Sequence, residues 1–107
     1  MHRYGQIINL KPEKVEEYKK LHAEVWKDVT KAIAKSNIKN YSIYLKDDIL
    51  FAYFEYHGTQ FEKDMAEMAV NPIVQKWWDV CKQCMLPIET RQEGEWWADM
   101  EEIFHQD

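Results

Sequence analysis

A histidine lies between a tyrosine and a tryptophan in the stretch "YKKLHAEVW". Tyr18, His22 and Trp26 are spaced by four residues, so a helix would place a phenol, an imidazole and an indole on one face. An imidazole titrates near neutral pH, which suits it to general acid or base catalysis. On spacing alone, the more common outcome is a core histidine that is hydrogen-bonded to a neighbouring carbonyl.

Two adjacent tryptophans, Trp77 and Trp78, stand in "QKWWDV". Neighbours on a helix point about 100° apart, so one core face cannot take both rings simply. Aromatic rings that line a pocket can hold a sugar, because the apolar face of a pyranose stacks on a ring while its hydroxyls find polar partners. The alternative is one core tryptophan and one interface tryptophan. Of the two strand tyrosines, Tyr41 and Tyr44, only one can face a given pocket.

Several charged residues near predicted strands could support such a site. Glu55 lies in the third predicted strand, and Glu102 near the end of the chain. Either could orient a catalytic group, although a glutamate in a strand is more often solvated. Arg3, beside the first strand, is a candidate partner for an acidic group. The remaining histidines lack partners at helical or strand spacing and are expected on the surface: His2, His57 and His105.

The two cysteines form a C-x-x-C motif, Cys81 and Cys84. A structural zinc site needs four ligands, and no second pair of cysteines or histidines lies at a matching distance. A redox motif would open a helix after a strand, whereas this one follows a long helical pattern. We therefore expect neither a metal nor a redox role.

The elements that must position these residues follow from apolar periodicity. Pro12 and Glu13 suit the start of a helix, and an apolar face then continues from Val15 to Ile33, which predicts one unbroken helix. Asn71 and Pro72 suit the cap and first turn of a later helix. The other predicted elements are strands over 4–10, 41–45, 49–57 and 99–106, a helix starting near Thr59, and a loop over 86–97.

Length and composition indicate one globular domain over residues 1–107. The hydrophobic fraction of 46% supports a core, and the net charge of −5 does not suit a nucleic-acid partner. No apolar segment has the roughly 20 residues of a membrane span, so no membrane partner is expected. The start of the chain lacks the features of a signal peptide, which predicts a cytoplasmic location.

The order β-α-β-β-α-β predicts an α+β fold of the ferredoxin-like, split βαβ type. Helices would cover one face of its sheet. The other face would carry exposed apolar side chains, so a second subunit is its expected cover.

Several short sequence blocks along the chain match the pattern of one known family, in the same order and with almost no insertions. They are Arg3, "EEY..LH...W" over 16–26, "NY.IYL" over 40–45, "LFA..E" over 50–55, "Q.WW" over 75–78 and "EE.F" over 101–104. Over nearly its whole length the sequence therefore resembles the L-rhamnose mutarotase family.

That resemblance implies a dimeric α+β barrel with exchange of the C-terminal segment between subunits. It implies that the catalytic acid is His22 and that the sugar contacts Tyr18, Tyr41, Trp77 and Trp78. Further candidates for supporting roles are Trp26, Glu55 and Glu102. The family pattern does not cover residues 87–99, which carry their own pair of tryptophans, Trp96 and Trp97.

Mutarotation interconverts the α and β anomers of L-rhamnose or a related 6-deoxy sugar. The anomeric hydroxyl loses a proton, the ring oxygen gains one, and the opened ring closes on the other face. This chemistry needs an acid–base group with a pKa near neutrality and no metal or other cofactor. Two alternatives stay open: a dimeric α+β-barrel monooxygenase of the haem-degrading type, and a non-catalytic sugar-binding or dimer module.

Overall fold

A computed structural model describes residues 1–107. Its strands are β1 (His2–Leu10), β2 (Ile38–Lys46), β3 (Ile49–Tyr56), β4 (Met85–Leu86) and β5 (Ala98–Met100). Its helices are α1 (Val15–Ala23), α2 (Lys27–Lys35), α3 (Phe61–Ala69) and α4 (Pro72–Lys82), with a 3₁₀ turn over Pro12–Lys14. None of the helices has the length and apolar character needed to cross a membrane.

The sheet is antiparallel with the order β2-β3-β1-β4, and β5 also pairs with β1. This order confirms the predicted ferredoxin-like α+β fold, in which the first strand lies in the middle of the sheet. Alternate residues of β3 show which face meets the helices. Leu50 and Ala52 are buried there, whereas Ile49 and Phe51 are exposed on the outer face.

The β2–β3 connection is a tight hairpin. Asp47 and Asp48 both have positive φ, 52° and 62°. Two-residue hairpin turns of this kind match the right-handed twist of the strands, and aspartate is among the residues that tolerate a left-handed backbone. The turn sets the register that pairs Ile43 with Ala52, and both of these residues lie on the helix side of the sheet.

The N-terminus of α4 forms as its sequence predicts. The Asn71 side chain accepts hydrogen bonds from the backbone N–H groups of Ile73, at 2.9 Å, and Val74, at 3.4 Å. Pro72 occupies the first turn, where no backbone N–H is needed. This cap fixes where the helix begins and therefore which way its two tryptophans point.

The prediction of one unbroken helix from residue 15 to residue 33 was wrong. The chain leaves helical geometry at Glu24 (φ −139°, ψ 69°) and Trp26 (φ −57°, ψ 134°). The Trp26 carbonyl then accepts bonds from the N–H groups of Val29, at 2.9 Å, and Thr30, at 3.2 Å, to start α2. The Trp26 ring packs edge-on to Trp77, with centroids 5.1 Å apart, so a tertiary contact accompanies the break.

The predicted final strand over residues 99–106 is shorter than expected. Only Ala98–Met100 pairs with β1, and residues 101–107 have no regular structure. Ile103 and Phe104 are 88% and 76% exposed, so most of the surface of these apolar side chains is not packed within this chain. The length and residue types predicted a strand, but only its first part pairs with β1.

Candidate functional site

A cavity of about 770 Å³ lies between the helices and the inner face of the sheet. Most of its lining is apolar, and no aspartate or glutamate borders it. Its volume falls within the range of pockets that bind small molecules. The cavity brings together five residues that the sequence placed in a site: Tyr18, His22, Tyr41, Trp77 and Trp78.

The imidazole of His22 is half-buried between two aromatic rings. It stacks on Tyr18, with centroids 4.1 Å apart, and meets Trp77 edge-on at 5.1 Å. Its Nδ1 lies 2.9 Å from the backbone oxygen of Tyr18. A carbonyl oxygen only accepts, so Nδ1 carries the proton and donates. In the neutral ring, Nε2 is then the basic nitrogen that remains for a ligand.

Burial also sets the charge of His22. Because an imidazolium ion is poorly solvated in the half-buried position, the pKa of His22 is lowered from the usual 6.5. The hydrogen bond to the Tyr18 carbonyl acts in the opposite direction and is the smaller effect. The ring is therefore neutral at physiological pH and can take up a proton.

Two tyrosines give the cavity neutral hydrogen-bond donors. Tyr18 is buried, and burial raises the pKa of its phenol. Tyr41 keeps 41% of its surface exposed, but its hydroxyl is at the buried end of the side chain. This burial raises the pKa of Tyr41 to about 12. The register of β2 against β3 shifts between Lys39 and Ser42, and Asn40 has φ 51° there. This irregularity is a β-bulge at Tyr41.

The two adjacent tryptophans on α4 point in different directions and differ in burial, as helix geometry requires. Trp77 is 6% exposed and contacts His22, whereas Trp78 is half-buried; both border the cavity. They therefore form two different parts of its wall. Trp26 does not line the cavity, and its ring instead packs edge-on against Trp77.

The loop after β4 contributes a part of the wall that sequence reasoning left unassigned. Trp96 and Trp97 both line the cavity. The Lys82 ammonium lies 5.2 Å from the centroid of the Trp96 ring, a cation–π contact. The Nε1 atom of Trp96 is buried without a hydrogen-bond partner. The only signal in the sequence was a second adjacent tryptophan pair in a loop.

Glu95 fixes the shape of that loop. Its carboxylate accepts hydrogen bonds from the backbone N–H groups of Gln92, at 2.8 Å, and Asp99, at 3.2 Å. Gly94, with φ +85°, adopts a left-handed backbone that other residues rarely take. Gln6 also borders the cavity, and its amide donates to Asp99 at 2.7 Å. The site therefore includes one polar side chain from β1, that of Gln6.

Glu55 belongs to a hydrogen-bonded group outside the cavity. Its carboxylate accepts from Asn40 and Tyr53, both at 2.8 Å, and lies 3.0 Å from Nε2 of His57. Hydrogen bonds from His57, Asn40 and Tyr53 lower the pKa of Glu55 to about 2. The expectation that His57 has no partner was wrong, because residues two apart on a strand share a face.

Glu102 forms an ion pair with Arg3. The guanidinium donates to both carboxylate oxygens, at 3.0 and 3.2 Å, so Arg3 does pair with an acidic residue as its position suggested. Neither Glu55 nor Glu102 borders the cavity. The structure places both away from His22, and a supporting role for them in the site stays a prediction.

The cysteines are core residues at the end of α4. Cys84 is fully buried and its thiol donates to Glu17 at 3.2 Å, while Cys81 borders the cavity. Burial raises the pKa of Cys81 to about 12 and that of Cys84 to about 11. Both thiols are therefore poor nucleophiles near neutral pH.

The fold and the cavity define a small ferredoxin-like α+β protein with one histidine set among tyrosines and tryptophans. The chain belongs to the L-rhamnose mutarotase family, whose model matches residues 3–106. This is a family of isomerases, and the comparisons do not favour the monooxygenase or the non-catalytic alternative.

The relatives agree with this assignment. An L-rhamnose mutarotase from Oceanobacillus iheyensis is 34% identical over the whole of both chains. One from Listeria monocytogenes is 41% identical over 73% of this chain and 74% of its own length. The crystal structure of an L-rhamnose mutarotase from Formosa agariphila is similar in fold, with a TM-score of 0.76, 23% identity and full coverage of both chains.

Proposed function

We propose that this protein interconverts the α and β anomers of L-rhamnose and that His22 transfers the proton. The observation that carries this proposal is the hydrogen bond from Nδ1 of His22 to the Tyr18 carbonyl. It leaves Nε2 as the free basic nitrogen of a ring that borders the cavity. No other histidine borders this cavity.

The proposed reaction is a proton transfer between two oxygens of the sugar. Nε2 of neutral His22 accepts the proton of the anomeric hydroxyl as the bond between C1 and the ring oxygen breaks. The ring oxygen takes the bonding electron pair and receives a proton, while C1 becomes an aldehyde carbon. Both oxygens are bonded to C1, so one imidazole can serve as base to the first and acid to the second.

Ring closure on the other face completes the exchange. Rotation about the C1–C2 bond presents the opposite face of the aldehyde, and the same proton transfers run in reverse. Because the site must accept both anomers, it has to hold the sugar away from C1. Tyr18 and Tyr41, as neutral phenols, can donate to other hydroxyls, and Trp77 and Trp78 can stack on the ring.

Saturation-transfer NMR between the anomeric protons of L-rhamnose tests this proposal. Added protein should increase the exchange rate in proportion to its concentration, above the spontaneous rate in buffer. Heat-denatured protein at the same concentration is the control. If native and denatured samples give the same exchange rate, the proposed activity is wrong.

A homodimer is part of the same proposal, and the outer face of the sheet supports it. Tyr44, Ile49 and Phe51 are 62%, 41% and 38% exposed there. The apolar tail residues Ile103 and Phe104 are exposed as well, which fits exchange of this segment with a second copy of the chain. Exposed apolar surface of this kind marks an interaction site.

Light scattering after size exclusion tests the dimer. The protein should have twice the mass of one chain, and Phe51→Glu should shift it towards the monomer because a charge would be buried in the interface. Lys31→Glu, on an exposed residue of α2 away from the sheet, is the control. A monomeric wild-type protein would refute the dimer.

We also propose a cytoplasmic location. The two buried thiols, Cys81 and Cys84, are unpaired, as is usual in a reducing compartment.

A further inference from the structure

Helix α3 borders the cavity with an apolar face that is only partly buried. Phe61, Met65 and Met68 line the cavity, yet no residue of α3 is buried. In contrast, α4 buries Val74, Trp77 and Cys81. Phe61 packs on Tyr4, whereas Met65 and Met68 are half-buried at the cavity, where a ligand group could cover them.

Polar contacts at Asp64 hold the start of α3 in place, together with the packing of Phe61 on Tyr4 and Tyr56. The Asp64 carboxylate accepts hydrogen bonds from the Tyr56 hydroxyl and from the Asn37 amide, the latter at 3.0 Å. The Tyr56 oxygen also accepts from the backbone N–H of Gln60, at 3.0 Å. We call this group the Asp64 latch. It ties the first turns of α3 to the end of β3 and to the residue before β2.

The latch depends on a close approach at Gly58. A Cβ atom there would lie 2.3 Å from the Tyr56 hydroxyl oxygen and 2.9 Å from the Asn37 amide nitrogen. Only glycine leaves room for these two side chains to reach Asp64. The local sequence is thus fitted to the latch.

Two parts of the cavity lining differ in chemistry. His22, Tyr18 and Tyr41 offer hydrogen-bonding groups, whereas the α3 wall offers only a phenyl ring and two thioether side chains. An aromatic series joins them: Tyr41 packs against Phe54 at 5.6 Å, Phe54 on Tyr4 at 4.9 Å, and Tyr4 on Phe61 at 4.9 Å.

A 6-deoxyhexose has the same division. Its hydroxyl groups lie around C1 to C4, and its only purely apolar substituent is the methyl group on C5. A hydroxymethyl group at that position would place a hydroxyl against a wall without a hydrogen-bond partner, which is unfavourable.

From these observations we infer that the α3 wall of Phe61, Met65 and Met68 receives the C5 methyl group and sets the preference for 6-deoxy sugars. Asp64 is a positioning residue that holds this wall at its distance from the rest of the site. The inference rests on the proposed function. It adds which residues contact the C5 methyl group of the sugar.

L-Rhamnose and L-mannose test the wall, because they differ only in the hydroxyl on C6. The wild-type protein should favour L-rhamnose in kcat/KM by about 10- to 100-fold, the usual limit for an apolar pocket that rejects an added hydroxyl. Met65→Gln, which adds an amide at similar length, should reduce this ratio by about tenfold. Met65→Leu stays apolar and should keep the ratio.

Two outcomes would overturn the inference. One is a wild-type protein that accelerates both sugars equally, which leaves the proposed mutarotation intact. The other is a ratio that is unchanged in Met65→Gln and in a second variant, Met68→Gln, which covers the case in which the first fails to fold. A wild-type protein that accelerates neither sugar would refute the mutarotase proposal itself, and the inference with it.

The latch is tested separately. Asp64→Ala should raise KM for L-rhamnose several-fold and leave kcat within about twofold, because the wall moves while His22 stays in place. Asp64→Asn keeps an acceptor oxygen and should restore part of the lost affinity. Glu67→Ala, on an exposed residue of the same helix, is the control. A fall in kcat alone, or an unchanged KM, would contradict a positioning role for Asp64.

Discussion

Replacing His22 by alanine tests the proposed mechanism most directly. General acid–base catalysis by one positioned side chain contributes about 10²- to 10⁴-fold, which corresponds to about 2.7 to 5.4 kcal/mol in the activation free energy. No other histidine borders the cavity, and the two tyrosines have pKa values raised by burial. Neither tyrosine can replace the imidazole as a base near neutral pH, so we expect the exchange rate to fall by at least about a hundredfold.

The same substitution should leave the protein folded. It removes one hydrogen bond, from Nδ1 to the Tyr18 carbonyl, worth about 0.5–1.5 kcal/mol. It also removes the contacts with Tyr18 and Trp77, each worth about 0.5–1.5 kcal/mol beyond the buried area. A loss of about 1.5–4.5 kcal/mol is smaller than the stability of an ordinary domain.

The assay is saturation transfer between the anomeric protons of L-rhamnose, with equal concentrations of folded protein confirmed by circular dichroism. His57→Ala is the matched control, because that imidazole lies on the outer face of the sheet beside Glu55 and should be dispensable. If His22→Ala exchanges anomers within threefold of the wild type, another group transfers the proton and our reasoning is wrong.

Further predictions concern pH and stability. Because burial lowers the pKa of His22 below 6.5, kcat/KM should stay constant across the neutral range and fall as acid protonates Nε2. A midpoint above 6.5 would contradict this. Trp77→Ala should cost about 3–5 kcal/mol of unfolding free energy in urea, as for a buried ring, and Trp78→Ala clearly less; equal losses would argue against their different burial. Gly58→Ala should lower the unfolding free energy by about 1–3 kcal/mol through its contact with Tyr56, and an unchanged urea midpoint would show that the latch adjusts.

The sequence predicted most of the secondary structure because local patterns decide it. The apolar periodicity and the Asn71 cap indicate α4, and the strands follow from β-branched and aromatic residues. Tyr18 and His22 share a helix face as predicted, since both precede the break. The break itself was not predictable from periodicity, because the apolar pattern continues through Trp26. The contact between Trp26 and Trp77 joins segments fifty residues apart, and no local pattern records it.

The remaining part of the site depends on long-range placement. Trp96 and Trp97 lie in a loop without periodicity, and their positions depend on the hydrogen bonds of Glu95 and the left-handed backbone of Gly94. The final strand shows the opposite case. Its sequence suits a strand, but after Met100 the backbone pairing with β1 ends, and the side chains of Arg3 and Glu102 form hydrogen bonds instead.

Because the indole rings lie around the cavity, the intrinsic tryptophan fluorescence of the protein should report the binding of a ligand. The chain has five tryptophans. Four of them line the cavity, and the fifth, Trp26, packs against one of these. There is no distant indole to add a constant background, so the intrinsic fluorescence of the whole chain should respond when a sugar displaces water from the cavity. Binding constants can therefore be measured on unlabelled protein, including variants that no longer catalyse exchange.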